Sequence, residues 1–392
     1  MGAGKIIPNI KVSYSVCDII GALFISSETN RYSKLVEDLL GTMINVRNVI
    51  LTSSGRSALY HILSYLPQKK VIVPAYTCDV VVEAATLAGK DVVYAHVDKA
   101  TLNVVVIPDL DSDSIVIATH QYGFPCKIKE ICEECKKKGA IVIEDCAGAL
   151  GTEIDGQMAG TFGDYAIFSF NASKLINAPS SGGFLIANND SDFKALKERI
   201  QFRPCSFKFK VKSLCKSMAF CLDKNAFVHY WLSKATRHDA AKAYLPAEAY
   251  IPNKNVLNEY KNGFYNWQAF VVLKQLKKLP ELIKKREELT TAYHSRLNKV
   301  YQAEQFDRQN SCIRYPIYLI KGREEARIRL RKSGIEVGAG FEHFVCPKDY
   351  KEEIEMAKQI AYLPFSSNFS YKEIDYIIKV LNQESDEQSI SS

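Results

Sequence analysis

Two rhythms of apolar and polar positions alternate along the chain. Short β-branched runs recur between longer stretches in which apolar residues return every three or four positions. That alternation of strand and helix builds layered α/β folds. Tyr32–Met43, YSKLVEDLLGTM, reads as an amphipathic helix, followed by a strand over Asn48–Thr52. A Ser-Ser-Gly turn then opens a helix running to about Tyr65. Val71–Val73, Asp91–Val97, Ile115–Thr119 and Ile141–Ile143 are further strand-length runs, with KIKEICEECKKKGA as the amphipathic helix before the last. Strands buried on both faces of a parallel sheet have this nearly continuous apolar character. Tyr165–Phe170 and Phe184–Ala187 flank a turn of small residues. Past a basic stretch, Phe264–Leu279 continues into a long amphipathic helix. Strand-like runs follow at Arg314–Ile320, from Gly334 toward His343, and near Ala361–Pro364, before a closing helix SYKEIDYIIKVL. The polar tail NQESDEQSISS is expected to be disordered.

Candidate chemistry sits where these runs end. Ile141–Ile143 leads into Glu144 and Asp145, at the C-terminal end of a strand, where open α/β sheets place their sites. Tyr165–Phe170 carries Ser169, with Lys174 and a Ser-Ser-Gly-Gly turn directly after it. Three strands thus deliver an acid, a hydroxyl and an amine to one rim. Taken alone, an acid beside an amine is most often a structural ion pair. The turn Gly55-Arg56-Ser57 opens a helix behind a strand. Free backbone N–H groups and the helix dipole converge there, so the turn is either an anion site or simply a cap. His120, at the end of Ile115–Thr119, is either a hydrogen-bonded structural residue or a group that tunes a neighbouring cofactor.

Length, charge and cysteine usage narrow the field. The 392 residues suffice for two domains, and a net charge of +7 suits anionic small molecules while being too weak to argue for nucleic acid. No apolar run is long enough to span a bilayer. The opening MGAGKIIPNIKVS has no apolar signal core, and Ile6 does not fit a myristoylation pattern. Eleven scattered cysteines, an odd count, are expected as free thiols in a reducing cytoplasm. Cys132 and Cys135 form a CxxC, but no second ligand pair completes a tetrahedral site, so no metal is expected. The basic segment 202–256 reads most simply as a solvated face on an insertion. Its functional readings are a substrate-phosphate contact or docking on an anionic membrane surface.

Two segments carry a resemblance. FSFNASK, followed by its small-residue turn, resembles the lysine segment of the DegT/StrS family of pyridoxal-phosphate sugar aminotransferases. VIEDCAGALG resembles that family's VIEDAAQAxG. The turn at Gly55, PAYTC at 74–78, HQYGFP at 120–125, the segment from Phe264 and the closing helix match further family segments in order, from about Asn30 to Leu381. The resemblance implies the aspartate-aminotransferase-like fold, fold type I. That fold has a large α/β domain, here expected over 1–256, around a mostly parallel, seven-stranded-type sheet, a smaller C-terminal α+β domain, here over 257–392, and a homodimer with active sites at its interface. It implies pyridoxal 5′-phosphate as cofactor, with the pyridoxamine form as intermediate. Lys174 then takes the Schiff-base role and moves the proton between the donor's α-carbon and the cofactor's C4′. Asp145 pairs with the pyridinium nitrogen, and Ser169 with Gly55, Arg56 and Ser57 binds the phosphate. Cys78 and His120 fall on cofactor-contacting positions. L-Glutamate is the implied amino donor and a nucleotide-linked keto-sugar the acceptor, for glycan or antibiotic sugar biosynthesis. The chain departs from the family at Arg56 (usually Thr), Cys78 (aromatic), Gly148 (Gln or His) and Gly263 (Arg), with Tyr76 the nearest aromatic to Cys78. A dehydratase-like reaction on the same cofactor and a non-catalytic sugar-nucleotide-binding protein are the alternatives.

Overall fold

The structure, a computed structural model, describes residues 4–235, 244–298, 313–319, 323–341 and 343–390. Its centre is a seven-stranded sheet. In chain order the strands are β1 (Val49–Thr52), β2 (Lys70–Pro74), β3 (Asp91–Ala95), β4 (Ser114–Thr119) and β5 (Ile141–Asp145). A small hairpin, β6 (Glu153–Ile154) and β7 (Gln157–Met158), intervenes before β8 (Tyr165–Ser169) and β9 (Gly183–Ala187). The spatial order is β1-β9-β8-β5-β4-β2-β3. Only β9 runs against its neighbours β1 and β8, so the C-terminal ends of β2, β4, β5 and β8 share one rim.

The period-two geometry of strands splits the apolar residues between two faces. Ile117, Ile143, Ile167 and Leu185 pack under the helix Gly55–Tyr65 through Ala58, Leu59 and Ile62. On the other face Phe168 and Phe184 stack at 4.4 Å and pack against Ala269, Val272 and Leu276. Farther along that face, Val116 and Val142 meet the helix Ile128–Lys138 through Ile131 and Cys135.

The C-terminal part contains β10 (Tyr244–Pro246), β11 (Tyr315–Tyr318), β12 (Gly338–Ala339), β13 (Phe344–Cys346) and β14 (Ile360–Leu363). Strands β11, β14 and β12 form an antiparallel sheet in that order, and β10 pairs in parallel with β13. The fold is therefore the one the resemblance implies. The boundary at 256/257 does not follow the packing, however. The helix Asn266–Leu276 lies in the core of the large sheet, because its apolar residues complete the Phe168–Phe184 face. Residues 6–11, conversely, join the C-terminal part. Ile7 bridges Ile335, the Phe365 N–H donates to the Asn9 carbonyl, and Lys11 pairs with Glu373 at 2.7 Å.

Two other expectations are modified. The closing helix runs Tyr371–Ile390, so most of the tail read as disordered is helical. Asn382 helps to hold it, accepting from the Asn298 N–H and donating to the Arg296 carbonyl. Within 202–256, the helices Phe207–Asp223 and Ala226–Ala235 dock on the body rather than forming a wholly solvated face. Lys210 turns inward and donates to the carbonyls of Leu23 and Ile25. Residues 236–243 of that segment, together with Ile320 and Glu342, lie outside the described residues.

Candidate active site

A cavity of about 600 Å³ opens at the C-terminal rim, lined by Asp145, Ser169, Lys174, Cys78, His120 and the Ser54–Arg56 turn, among others. That volume suits a small-molecule site.

Asp145 is the last residue of β5 and is buried. One of its oxygens accepts the Ala147 N–H at 3.0 Å. Burial pushes its carboxyl pKa up, opposed by the Ala147 bond, Lys174 and His120. A cationic ring nitrogen at this carboxylate would relieve that penalty.

Lys174 stands on a turn closed by its own N–H donating to the Asn171 carbonyl at 2.9 Å. The turn is pinned by Asn177, which sequence reading passes over. Its side-chain amide donates to the carbonyls of Asn171, Ala172 and Lys174 at 3.0, 3.1 and 2.8 Å. Its amide oxygen accepts from the Ser13 N–H at 2.7 Å. Gln275 completes the clamp, accepting from the Asn177 N–H and donating to its carbonyl. Burial first, and then the nearby Arg314 guanidinium, lowers the Lys174 pKa to about 8, while Asp145 and Cys78 act the other way. Near physiological pH a far larger fraction of this amine is neutral than of an ordinary lysine, and the neutral form is the one that attacks an aldehyde.

The anion cradle is built from β8, β9 and the N-terminus of the Gly55–Tyr65 helix. Ser54 caps that helix by accepting the Ser57 N–H at 3.0 Å. A Cβ on Gly55 would come within 3.1 Å of the Ser169 Cβ, so the serine and the helix start adjoin. A Cβ on Gly183 would lie 2.5 Å from the Gly55 nitrogen, so only glycine lets β9 run this close to the turn. Among the described residues the Gly55 and Arg56 N–H groups have no protein acceptor, which leaves them for an anion at the helix end. The side chains of Arg56 and Ser57 take other directions. Arg56 pairs with Glu83 at 3.2 Å, and the buried Ser57 hydroxyl donates to the Tyr260 carbonyl at 3.4 Å.

His120 is buried and faces backwards. Its Nδ1 accepts the Cys126 N–H at 3.3 Å, which leaves Nε2 to donate to Glu144 at 3.0 Å. Glu144 also accepts N–H bonds from Gly160, Phe162 and Gly163 at 2.7–2.9 Å. His120, Glu144 and Cys146 lie within metal-ligating distance of one another. With four donors already on Glu144 and the Cys146 thiol pushed up to about 12 by burial, the trio reads as a brace for the rim. Cys132 and Cys135 are free, with burial raising both thiols to about 12.

The departures from the family pattern have physical occupants. A Cβ on Gly148 would meet Ile313 at 3.1 Å and the Gly123 nitrogen at 3.2 Å, and one on Gly263 would meet Phe202 at 3.1 Å. Cys78 lines the cavity, with its thiol beside the Asp79 carboxylate at 3.5 Å and pushed up to about 12 by burial. Tyr76 lies behind the wall, its hydroxyl 2.8 Å from that of Tyr122.

Sequence reading also missed Arg314 and Thr119. Arg314 enters the cavity above the Tyr362 ring at 4.3 Å. One guanidinium nitrogen donates to the Gly340 carbonyl at 2.8 Å, whereas its buried Nε has no acceptor. No carboxylate pairs with it among the described residues. Thr119, beside Asp145 in the sheet register, has a buried hydroxyl without a partner. An unpaired cation at a strand edge is the signal that could have pointed to Arg314, but the sequence does not say which way it faces.

Residues 25–382 match the family described as DegT/DnrJ/EryC1/StrS aminotransferases. The chain is 28% identical over 282 residues to GDP-perosamine synthase of Vibrio cholerae, covering 66% of this chain and 73% of the relative. It is 25% identical over 389 residues to GDP-perosamine synthase of Escherichia coli O157:H7, covering 94% of each. Among solved structures, Helicobacter pylori PseC, an aminotransferase involved in pseudoaminic acid biosynthesis, superposes with a TM-score of 0.71 at 16% identity, over 97% of this chain and 99% of that one.

Proposed function

The chain belongs to the DegT/DnrJ/EryC1/StrS aminotransferase family, and from that premise we propose that it transfers an amino group from L-glutamate to a nucleotide-linked keto-sugar. The observation that carries the reading is Lys174, an amine with its pKa lowered to about 8 in a cavity that also holds a buried carboxylate and an anion cradle. These residues fit pyridoxal phosphate. When bound, it supplies an aldehyde for the lysine and a ring that takes up electrons from the donor's α-carbon.

The protein's own contributions follow from the geometry. Ser169 and the helix start at Gly55 hold the phosphate through hydroxyl and backbone N–H donors. Asp145 keeps a proton on the ring nitrogen, because a buried carboxylate is best stabilised by a cation. Lys174, on a turn whose backbone carbonyls the Asn177 clamp holds, takes the proton from the donor's α-carbon at Nζ and returns one. Arg314 receives a carboxylate of the donor at its unused guanidinium edge. A second copy completes the working unit. The exposed stripe Val16, Ile20, Leu23 and Phe24 offers it apolar surface. A cytoplasmic setting is supported by ten free cysteines among the described residues.

The experiment is a spectrum of the protein with pyridoxal phosphate. A visible band that glutamate bleaches, absent in Lys174→Ala, is the expected result. A wild-type protein with no band at saturating cofactor would refute the assignment. Arg314→Gln should keep the band but raise the glutamate concentration needed for half-bleaching by at least about tenfold, the loss of one charge-assisted pair.

A further inference from the structure

We propose that the outward faces of the helices Phe207–Asp223 and Ala226–Ala235 dock on an anionic phospholipid surface. The inner side of the first helix is occupied by Lys210, Ser213, Leu214 and Ser217, all buried. At helical spacing the opposite side carries Lys208, Lys212 and Lys216 in a single row, flanked by Leu222, which is 53% exposed. None of the three lysines has a carboxylate partner among the described residues. The second helix buries His229, which bonds Asp223 and Glu336 at 3.0 and 2.9 Å and fixes the helix to the body. Opposite His229 it exposes Phe227 and Trp231, with Lys234 over the indole at 5.6 Å.

Across 202–235 there are seven Lys or Arg and a single acid, Asp223, which His229 already engages. Unpaired lysines beside exposed Trp, Phe and Leu are the composition of helices that lie in a bilayer interface, where the apolar groups enter the acyl boundary and the ammonium groups meet lipid phosphates. A second copy of the chain fits this face poorly, since a two-fold contact would set the lysine row against itself. Spanning is not at issue, because no helix among the described residues is long and apolar enough to cross a membrane. The same helix lines the catalytic cavity through Phe220 on its inner side. Docking would therefore bring that cavity within about one helix diameter, roughly 10 Å, of the lipid surface.

The test is co-sedimentation of the full chain with vesicles of phosphatidylcholine alone or mixed with phosphatidylglycerol. Binding is expected only to the mixed vesicles, weakened by salt and reduced at least about tenfold in the triple variant K208E/K212E/K216E. Trp231 should shift its emission to the blue on binding, a shift lost in Trp231→Phe, because the second tryptophan, Trp267, is already fully buried. These substitutions lie on exposed positions and should leave the cofactor band unchanged, which serves as the check on folding. Failure to bind mixed vesicles, equal binding to neutral ones, or unchanged binding by the triple variant would overturn the proposal. So would Trp231 shielded from an aqueous quencher in the lipid-free protein, the mark of a protein partner.

Discussion

Lys174 is an amine placed where a positive charge is disfavoured, and this has consequences for stability as well as reactivity. Its folded pKa of about 8 lies below its ordinary 10.5. Below pH 8 both folded and unfolded chains carry the proton, and the folded state bears the full penalty of burying it. Between 8 and 10.5 the folded chain releases its proton first, so stability rises with pH across that window. Lys174→Met should therefore raise the melting temperature of the cofactor-free protein at pH 7, and calorimetry should find the advantage fading above pH 10. The rate of cofactor capture by the wild type should rise with pH through about 8, and Arg314→Gln should move that midpoint upward by removing a neighbouring cation. That Lys174, Asp145 and Ser169 meet at one rim was legible in the sequence, because each sits in a short segment whose order and spacing are distinctive. Asn177 and Arg314 were not. Asn177 acts through Ser13, 164 residues away, and through Gln275, 98 residues away, and no local pattern encodes such pairings.

At the scale of elements, the strands of the large sheet were readable from their apolar runs and depart from those readings by at most two residues at either end, whereas the run read from Gly334 toward His343 is only the short β12, and the hairpin β6–β7, β10 and β13 were not read. What the pattern could not supply was how closely the elements approach. Gly183 allows β9 to pass the Gly55 turn with no room for a methyl group. Gly183→Ala should push the turn away from Ser169 and weaken pyridoxal phosphate binding at least about tenfold by fluorescence titration, while the sheet persists. The tilt of the loop after β4 was likewise invisible. Tyr122 holds a left-handed backbone with φ of 56° and is fastened by its hydroxyl to Tyr76, a conformation that side chains adopt only when their surroundings impose it. The domain boundary was misread for a related reason. The helix Asn266–Leu276 is apolar on several sides, and only the packed sheet tells which core receives it.

At the scale of the molecule, the two parts are strapped together near the beginning of the chain. Residues 6–11 lie against Ile335, Glu336 and Glu373, and Ser13, two residues on, holds Asn177 beneath the Lys174 turn. Ile7→Asp would place a charge at a fully buried bridge and should lower the melting temperature by several degrees, with earlier protease cleavage of the C-terminal part. The strap also has a consequence in time. Lys11 and Glu373 are 362 residues apart, so at ordinary translation speeds of about 5–20 residues per second the strap emerges roughly 20 to 70 s before its partner exists. For most of that interval Ile7 lacks its bridge partner Ile335. The order of synthesis therefore separates the two devices: the clamp on the Lys174 turn has all its partners once Gln275 is made, whereas the strap waits for the C-terminal part.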